Sequence, residues 1–185
     1  MRRRTFDRLA STEGLVLAPV LAVAGGLLTW TQRYITNEVR DQLAAQKIYF
    51  PATGSPELAA PEFGAVRRYA GQQLTTGDQA KAYADHFIAN HLRAMGGGKT
   101  YAELSGEALA RPDDAELAAA VQLMFRGATS RGLLLNAYAF GKMADIAGYA
   151  ATAAFAGAGL SLVLSILGFY HASRVTPDEA GPGWA

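Results

Sequence analysis

The sequence predicts an all-α membrane protein with two transmembrane helices and an extracytoplasmic helical domain of about 100 residues between them. Three observations predict it. Two uncharged apolar runs, Gly14 to Thr31 and Ile146 to Tyr170, hold 18 and 25 residues. Between them, apolar residues recur at helical spacing behind recognisable helix-start signals. Half of the 185 residues are apolar and only 18% are charged, and this apolar content is clustered rather than dispersed as in a soluble domain. The formal charge of +1 argues against a general nucleic-acid binder. With no cysteine, disulfide scaffolds, thiolate metal sites and cysteine nucleophiles are excluded.

At helical rise the first run spans roughly 27 Å, close to the hydrocarbon thickness of a bilayer. Arg2, Arg3, Arg4 and Arg8 precede it against Asp7 and Glu13, and Trp30 and Tyr34 follow where amphipathic rings favour headgroups. Pro19 sits within its first two turns, where a missing amide donor disrupts least. A cleaved signal peptide is the competing reading, because Ala22-Val23-Ala24 has the small-x-small form of a processing site. Cleavage there leaves a short apolar core and a mature chain beginning with the apolar Gly25 to Thr31, so an uncleaved anchor is expected.

The second run is long enough to span with some tilt. His171 and Arg174 follow, then a polar tail rich in proline and glycine that is expected to stay unfolded. Basic residues are retained on the cytoplasmic side, which puts both termini there. The expected order is a cytoplasmic tail (1–13), transmembrane helix 1 (14–34), an extracytoplasmic domain (35–140), transmembrane helix 2 with its interfacial start (141–170) and a second cytoplasmic tail (171–185). Ala150, Ala153, Gly157, Ser161, Ser165 and Gly168 form a small-residue stripe on the second span, and Ala18, Ala22, Gly25, Gly26 and Thr29 a similar one on the first. Small residues let backbones approach, so a tight helix pair or a homo-oligomer is expected, with Ala153, Gly157, Ser161 and Ser165 as packing residues. Alanine-rich composition alone also makes such stripes common.

After the first span, Ile35, Val39 and Leu43 keep one helical face through Gln46. From Ile48 to Leu74, Pro51, Pro56 and Pro61 with Gly54, Gly64 and Gly71 predict an extended, partly packed connection, with Ile48-Tyr49-Phe50 as an apolar anchor. Thr75 to Met95 reads as a helix opened by a Thr75–Asp78 box, with Ala80, Tyr83, Ala84, Phe87, Ile88 and Leu92 as its buried stripe. Gly96-Gly97-Gly98 supplies a left-handed stop. Thr100-x-x-Glu103 is a second capping box, opening a helix to about Ala110, and Arg111-Pro112 ends it. Asp113 and Asp114 start the last helical stretch, whose stripe is Leu117, Val121, Met124 and Ala128 and which runs into the second span; Lys142 and Asp145 are spaced to pair on one face.

Several features resemble a family of small membrane proteins of high-GC Gram-positive bacteria, often named "aromatic ring-opening dioxygenase". They are Leu28-Thr29-Trp30 at the end of the first span, the following helix leading to Ile48, Asp85-x-x-Ile88-x-x-His91, the string Gly97-Gly98-Lys99-Thr100-Tyr101-Ala102-Glu103-Leu104, and Phe125-Arg126. The resemblance covers most of residues 25 to 170, and the Gly-Lys-Thr-Tyr-Ala-Glu-Leu string is its most specific part. The chain departs at Lys142 and Asp145, where the family is apolar, and in a longer stretch between Phe50 and Thr75. The resemblance implies two-span topology at the cell envelope and no particular reaction.

A ring-opening dioxygenase typically gathers two histidines and a carboxylate around iron. Of the three histidines, His171 is expected across the membrane from His86 and His91, which stand five apart, about 140° around an α-helix. Asp85 and Glu103 offer oxygen, but no convergent triad is visible, so His86 and His91 read as ordinary surface or core histidines, with pH sensing as the other use of an imidazole. Gly96 to Thr100 lacks the upstream glycine of a phosphate loop, since Arg93 stands at that position, and it follows a helix rather than a strand. Ser105, Ser130 and His91 show no spacing of an activated nucleophile, and Asp113-Asp114-x-Glu116 reads as a helix start. Neither a metal nor another cofactor is expected. The expected role is a noncatalytic accessory, scaffold or interaction subunit in contact with the lipid bilayer and other membrane proteins. Tyr101, Glu103, Arg126 and Arg131 are the candidate partner or lipid contacts. The alternatives are a small oligomeric channel and an envelope ligand sensor or enzyme, the last requiring a pocket in the outer domain.

Overall fold

The structure, a computed structural model, describes residues 3–174. Arg2 and the tail beyond Arg174, expected to stay unfolded, lie outside the described residues. The chain is all-helical, with two long apolar helices, α1 (Arg3–Ala45) and α6 (Ala115–Arg174). Between them come 3-10 turns at Pro56–Leu58 and Pro61–Phe63, then α2 (Gly64–Arg67), α3 (Gly77–Ala82), a π-helical turn (Tyr83–Ile88), α4 (Ala89–Met95) and α5 (Tyr101–Ala110). Among the described residues the only sheet-like pairing is an antiparallel bridge between Tyr49 and Gln73. The chain divides into two units: a hairpin unit, up to Gln32 and from Asp145 onward, and a middle unit, Arg33–Ala144.

In the hairpin unit α1 and α6 run antiparallel on a seam of small residues. Ala151, Ala158, Ser165 and Ala172 are buried at every seventh position, and Ser11, Ala18 and Gly25 repeat the same interval on α1. A seven-residue repeat keeps one narrow line of each helix facing its partner. The line is close-packed. A Cβ on Gly14 would strike Ser165, one on Gly168 would strike Ser11, and one on Gly148 would strike the Gln32 amide. The seam hydroxyls are satisfied within their own helices, Ser11 Oγ donating to the Asp7 carbonyl and Ser165 Oγ to the Ser161 carbonyl, each at 2.7 Å. They therefore pack as small groups and leave no polar atom unpaired. Near the chain ends, His171 Nδ1 and Asp7 Oδ2 meet at 2.9 Å.

Of the four packing residues named from sequence, Ser165 is buried in the seam, the Ser161 carbonyl lies against Gly14, and Gly157 faces Leu21, whereas Ala153 is exposed. The heptad line passes through 151 and 158, and that phase leaves position 153 outside it.

The middle unit has a conventional core of Leu43, Phe50, Leu58, Val66, Leu74, Ala80, Ala84 and Leu134. This corrects the expected extended connection. Residues 48–74 supply the centre of the core, and Leu74 and Val66 are 0% exposed. The prolines do forbid a long helix, but Pro56 and Pro61 stand at the starts of two 3-10 turns, where a missing N–H costs nothing. Arg67 fixes the arrangement by donating to the carbonyls of Leu58 and Ala60 at 2.8 and 2.9 Å. Phe50 N and Leu74 N complete the tie by donating to the carbonyls of Gln72 and Ile48.

The helix expected over 75–95 differs at two points. Its N-cap is Thr76, not Thr75, and the box partner is Gln79, not Asp78. The Gln79 side-chain oxygen accepts from the backbone N–H groups of both Thr75 and Thr76, at 2.8 and 3.0 Å, a reach the shorter Asp78 lacks. Asp78 instead meets Lys142 at 3.1 Å. The second difference is the π-helical turn at its middle. The stop at Gly96–Gly98 follows expectation, with Gly97 and Gly98 at φ 59° and 86°. The Thr100–Glu103 box also forms as expected. α6 begins at Ala115, where Asp114 Oδ1 accepts from the Leu117 N–H at 3.0 Å.

Candidate functional site

The π-helical turn organises the chemistry of the middle unit. Such turns are rare and recur at functional sites because the extra residue per turn re-aims side chains. Here Tyr83, Phe87 and His91 stack in succession, with ring centroids 4.8 and 4.5 Å apart. Phe50 closes on Tyr83 edge-on at 5.4 Å, and Phe63 flanks both Phe87 and His91. His91 Nδ1 lies 2.7 Å from the Phe87 carbonyl, which can only accept, so Nδ1 carries the proton of that bond and Nε2 is left to the surroundings.

Beside this aromatic column is a cleft of about 420 Å³. Phe87, Ile88, Leu92, Leu123 and Leu133 give it apolar walls, and His91, Arg126, Ser130 and Gln46 supply polar groups. Gly127 also lines it and permits the close approach of α4 to α6, since a Cβ there would strike the Leu92 side chain. A second apolar cleft of about 430 Å³ adjoins it through Gln46 and Leu133 and is walled by Ile35, Val39, Leu43 and Phe140.

The same turn carries an ionic staple. Asp85 meets Lys81 at 2.6 Å and Arg131 at 2.7 Å. The hydrogen bond from Lys81 is the main reason the Asp85 carboxyl sits below its ordinary range; burial opposes it and Arg131 adds to it. The same bond raises Lys81. Burial among the aromatics raises the Tyr83 phenol. Among the described residues no three His, Cys, Asp or Glu side chains are placed to hold a metal.

The four contact residues named from sequence do not form one site. Glu103 caps α5, accepting from Thr100 N at 2.7 Å and Thr100 Oγ1 at 2.8 Å, and the backbone bond holds its carboxyl below the ordinary range. Tyr101 packs its ring 5.6 Å from Phe125. Both Tyr101 and Arg131 line a separate cleft of about 460 Å³ with Arg93 and Lys99. Arg131 is already paired with Asp85. Arg126 alone of the four reaches the apolar cleft, where it stands exposed. Sequence reading missed the roles of Gln46, Leu123 and the staple. The Lys81–Asp85 spacing of four was visible, but Arg131, 46 residues away, carries no local signal of its partnership. Comparison of the chain with protein-family models, curated proteins and solved structures finds no match.

Proposed function

We propose that this is an integral protein of the cell membrane. In this reading, residues 14–34 and 141–170 cross the bilayer as an antiparallel pair, both termini are cytoplasmic, and residues 35–140 are a noncatalytic accessory or interaction module at the cell envelope. One observation carries the reading: the hairpin unit turns its large apolar side chains outward. Val16, Val20, Val23 and Leu27 on α1, and Val163, Leu164 and Ile166 on α6, are each more than half exposed. Only 11% of the most apolar stretch of α1 and 17% of that of α6 is buried. A soluble protein hides such surface, whereas a bilayer solvates it. The excess of arginine before the first run supports the orientation, and the resemblance noted from sequence implies the same topology.

The apolar cleft favours the ligand-sensing alternative over the channel. Concave, mostly apolar sites with a few convergent polar groups are the usual form of a small-molecule site. The small residues a channel would present to a pore are instead used to close the pair within one chain. Because the chain has no cysteine, single cysteines at Ser105 and Ser173 test the topology cleanly. A membrane-impermeant thiol reagent applied to intact cells is expected to label position 105 and not 173. Labelling of 105 only after lysis overturns the orientation, and intact protein found in the detergent-free supernatant overturns the membrane placement.

A further inference from the structure

We propose that the cleft beside the π-helical turn is a binding site for one long-chain fatty acid, with its carboxylate on Arg126 and its hydrocarbon along Ile88, Leu92, Leu123 and Leu133. The proposal rests on the middle unit being a binding module; it does not depend on which side of a membrane that module occupies. Two features point to this ligand class.

The first is charge left over where the walls are oily. On the same stretch of chain Arg111, Arg131 and Lys142 each meet a carboxylate. Arg126 meets none among the described residues, yet it lines an apolar cleft that contains no acidic side chain. A guanidinium fork matches a carboxylate with two parallel hydrogen bonds. Ser130 lines the same cleft and offers a further donor. Arg126 is the one permanent cation lining it, which suits a single negative charge better than a phosphomonoester; Arg93, Lys99 and Arg131 belong to the neighbouring cleft.

The second is capacity. About 420 Å³ falls within the usual range of small-ligand sites, and the polar side chains lining it are Gln46, Tyr83, His91, Arg126 and Ser130.

The test uses the full chain in lipid nanodiscs, titrated with palmitate carrying ¹³C at the carboxyl and followed by NMR. A saturable bound resonance at one equivalent per chain is expected, distinct from that of palmitate in empty nanodiscs. Arg126→Gln is expected to weaken it about tenfold, and Leu123→Trp, which fills the apolar wall, to remove it, with helix content and melting unchanged for the exposed Arg126 variant. Hexadecanol is expected to compete at least tenfold less well than unlabelled palmitate. Partitioning alone, with no saturable signal, overturns the site. Equal competition by hexadecanol, or an Arg126→Gln variant that binds as tightly as the parent, overturns the assigned role of the guanidinium. Stronger competition by lysophosphatidic acid than by palmitate overturns the carboxylate assignment. Cysteine labelling at position 105 is read separately, so failure of the topology and failure of the cleft are distinguishable.

Discussion

The two units share the helices α1 and α6 and obey opposite rules. In the middle unit large side chains such as Leu43, Leu74 and Leu134 are buried, and charged ones such as Lys81 and Arg111 stay exposed. In the hairpin unit small residues are buried and Val20, Leu27, Leu164 and Ile166 are exposed. In water the area of apolar surface removed decides what goes inside, so large side chains win. Where hydrocarbon surrounds a helix that drive vanishes, and close backbone approach through small residues becomes the best available contact. The reversal of pattern within one chain is what supports the proposed placement.

Substitutions that break one unit should leave the other intact, and their sizes sharpen the contrast. The largest effect is expected at Leu74. Truncation to alanine removes a fully buried side chain, and the melting transition of the middle unit should fall by about 2–5 kcal/mol of stability. Smaller, and confined to the hairpin, is Gly14→Val, whose Cβ meets Ser165 and the Ser161 carbonyl; overpacking costs about 1–3 kcal/mol. Disulfide yield between cysteines at 11 and 168 should drop with it. Gly26→Val and Gly159→Val face open space and should leave that yield unchanged. If all three glycine variants behave alike, the seam is not where the packing energy resides.

Next comes Asp85→Asn, which leaves Lys81 and Arg131 without their shared carboxylate. A loss of about 1–2 kcal/mol is expected, the lower part of the charged hydrogen-bond range because the site is partly solvated. Its pH signature has a definite sign. The folded pKa of Asp85 lies below the ordinary value of 3.8. The stabilisation is therefore complete above that value and disappears as pH falls through it toward the folded pKa. Acid titration of the parent should show this loss, and the asparagine variant should lack it. Smallest is Thr76→Ala, which removes one cap bond to Gln79 N and should cost about 1 kcal/mol in the middle unit alone.

How much of this was legible in sequence follows from the range of each interaction. The Thr100–Glu103 box, the glycine stop and the stripe from Ala80 to Leu92 depend on neighbours within a turn or two, and they read correctly. The Thr75–Asp78 assignment missed by one residue because Gln79, equally near, has the longer reach. The heptad line in α6 was masked by alanine richness. With small residues at most positions, the eye finds several stripes, and only the partner helix selects the one through Ala151, Ala158 and Ser165. The π-helical turn left no trace, since Ala80, Ala84 and Ile88 keep α-helical intervals. Residues 48–74 looked like a connection because proline and glycine dominate local preference, whereas Leu58, Val66 and Leu74 are gathered by contacts distant in sequence. For the cleft, Arg126 and His91 were visible as residues, but their sharing one site depended on the crossing of α4 and α6 at Gly127.

The most direct test of the two-solvent account is the accessibility of spin labels to oxygen, which concentrates in hydrocarbon, and to a water-soluble nickel chelate. Labels at cysteines replacing Val20 and Leu164 in nanodisc-reconstituted protein are expected to relax with oxygen and ignore nickel, and a label at position 105 to do the reverse. Nickel access at 20 and 164 equal to that at 105 would contradict the account, because the outward apolar faces would then be meeting water.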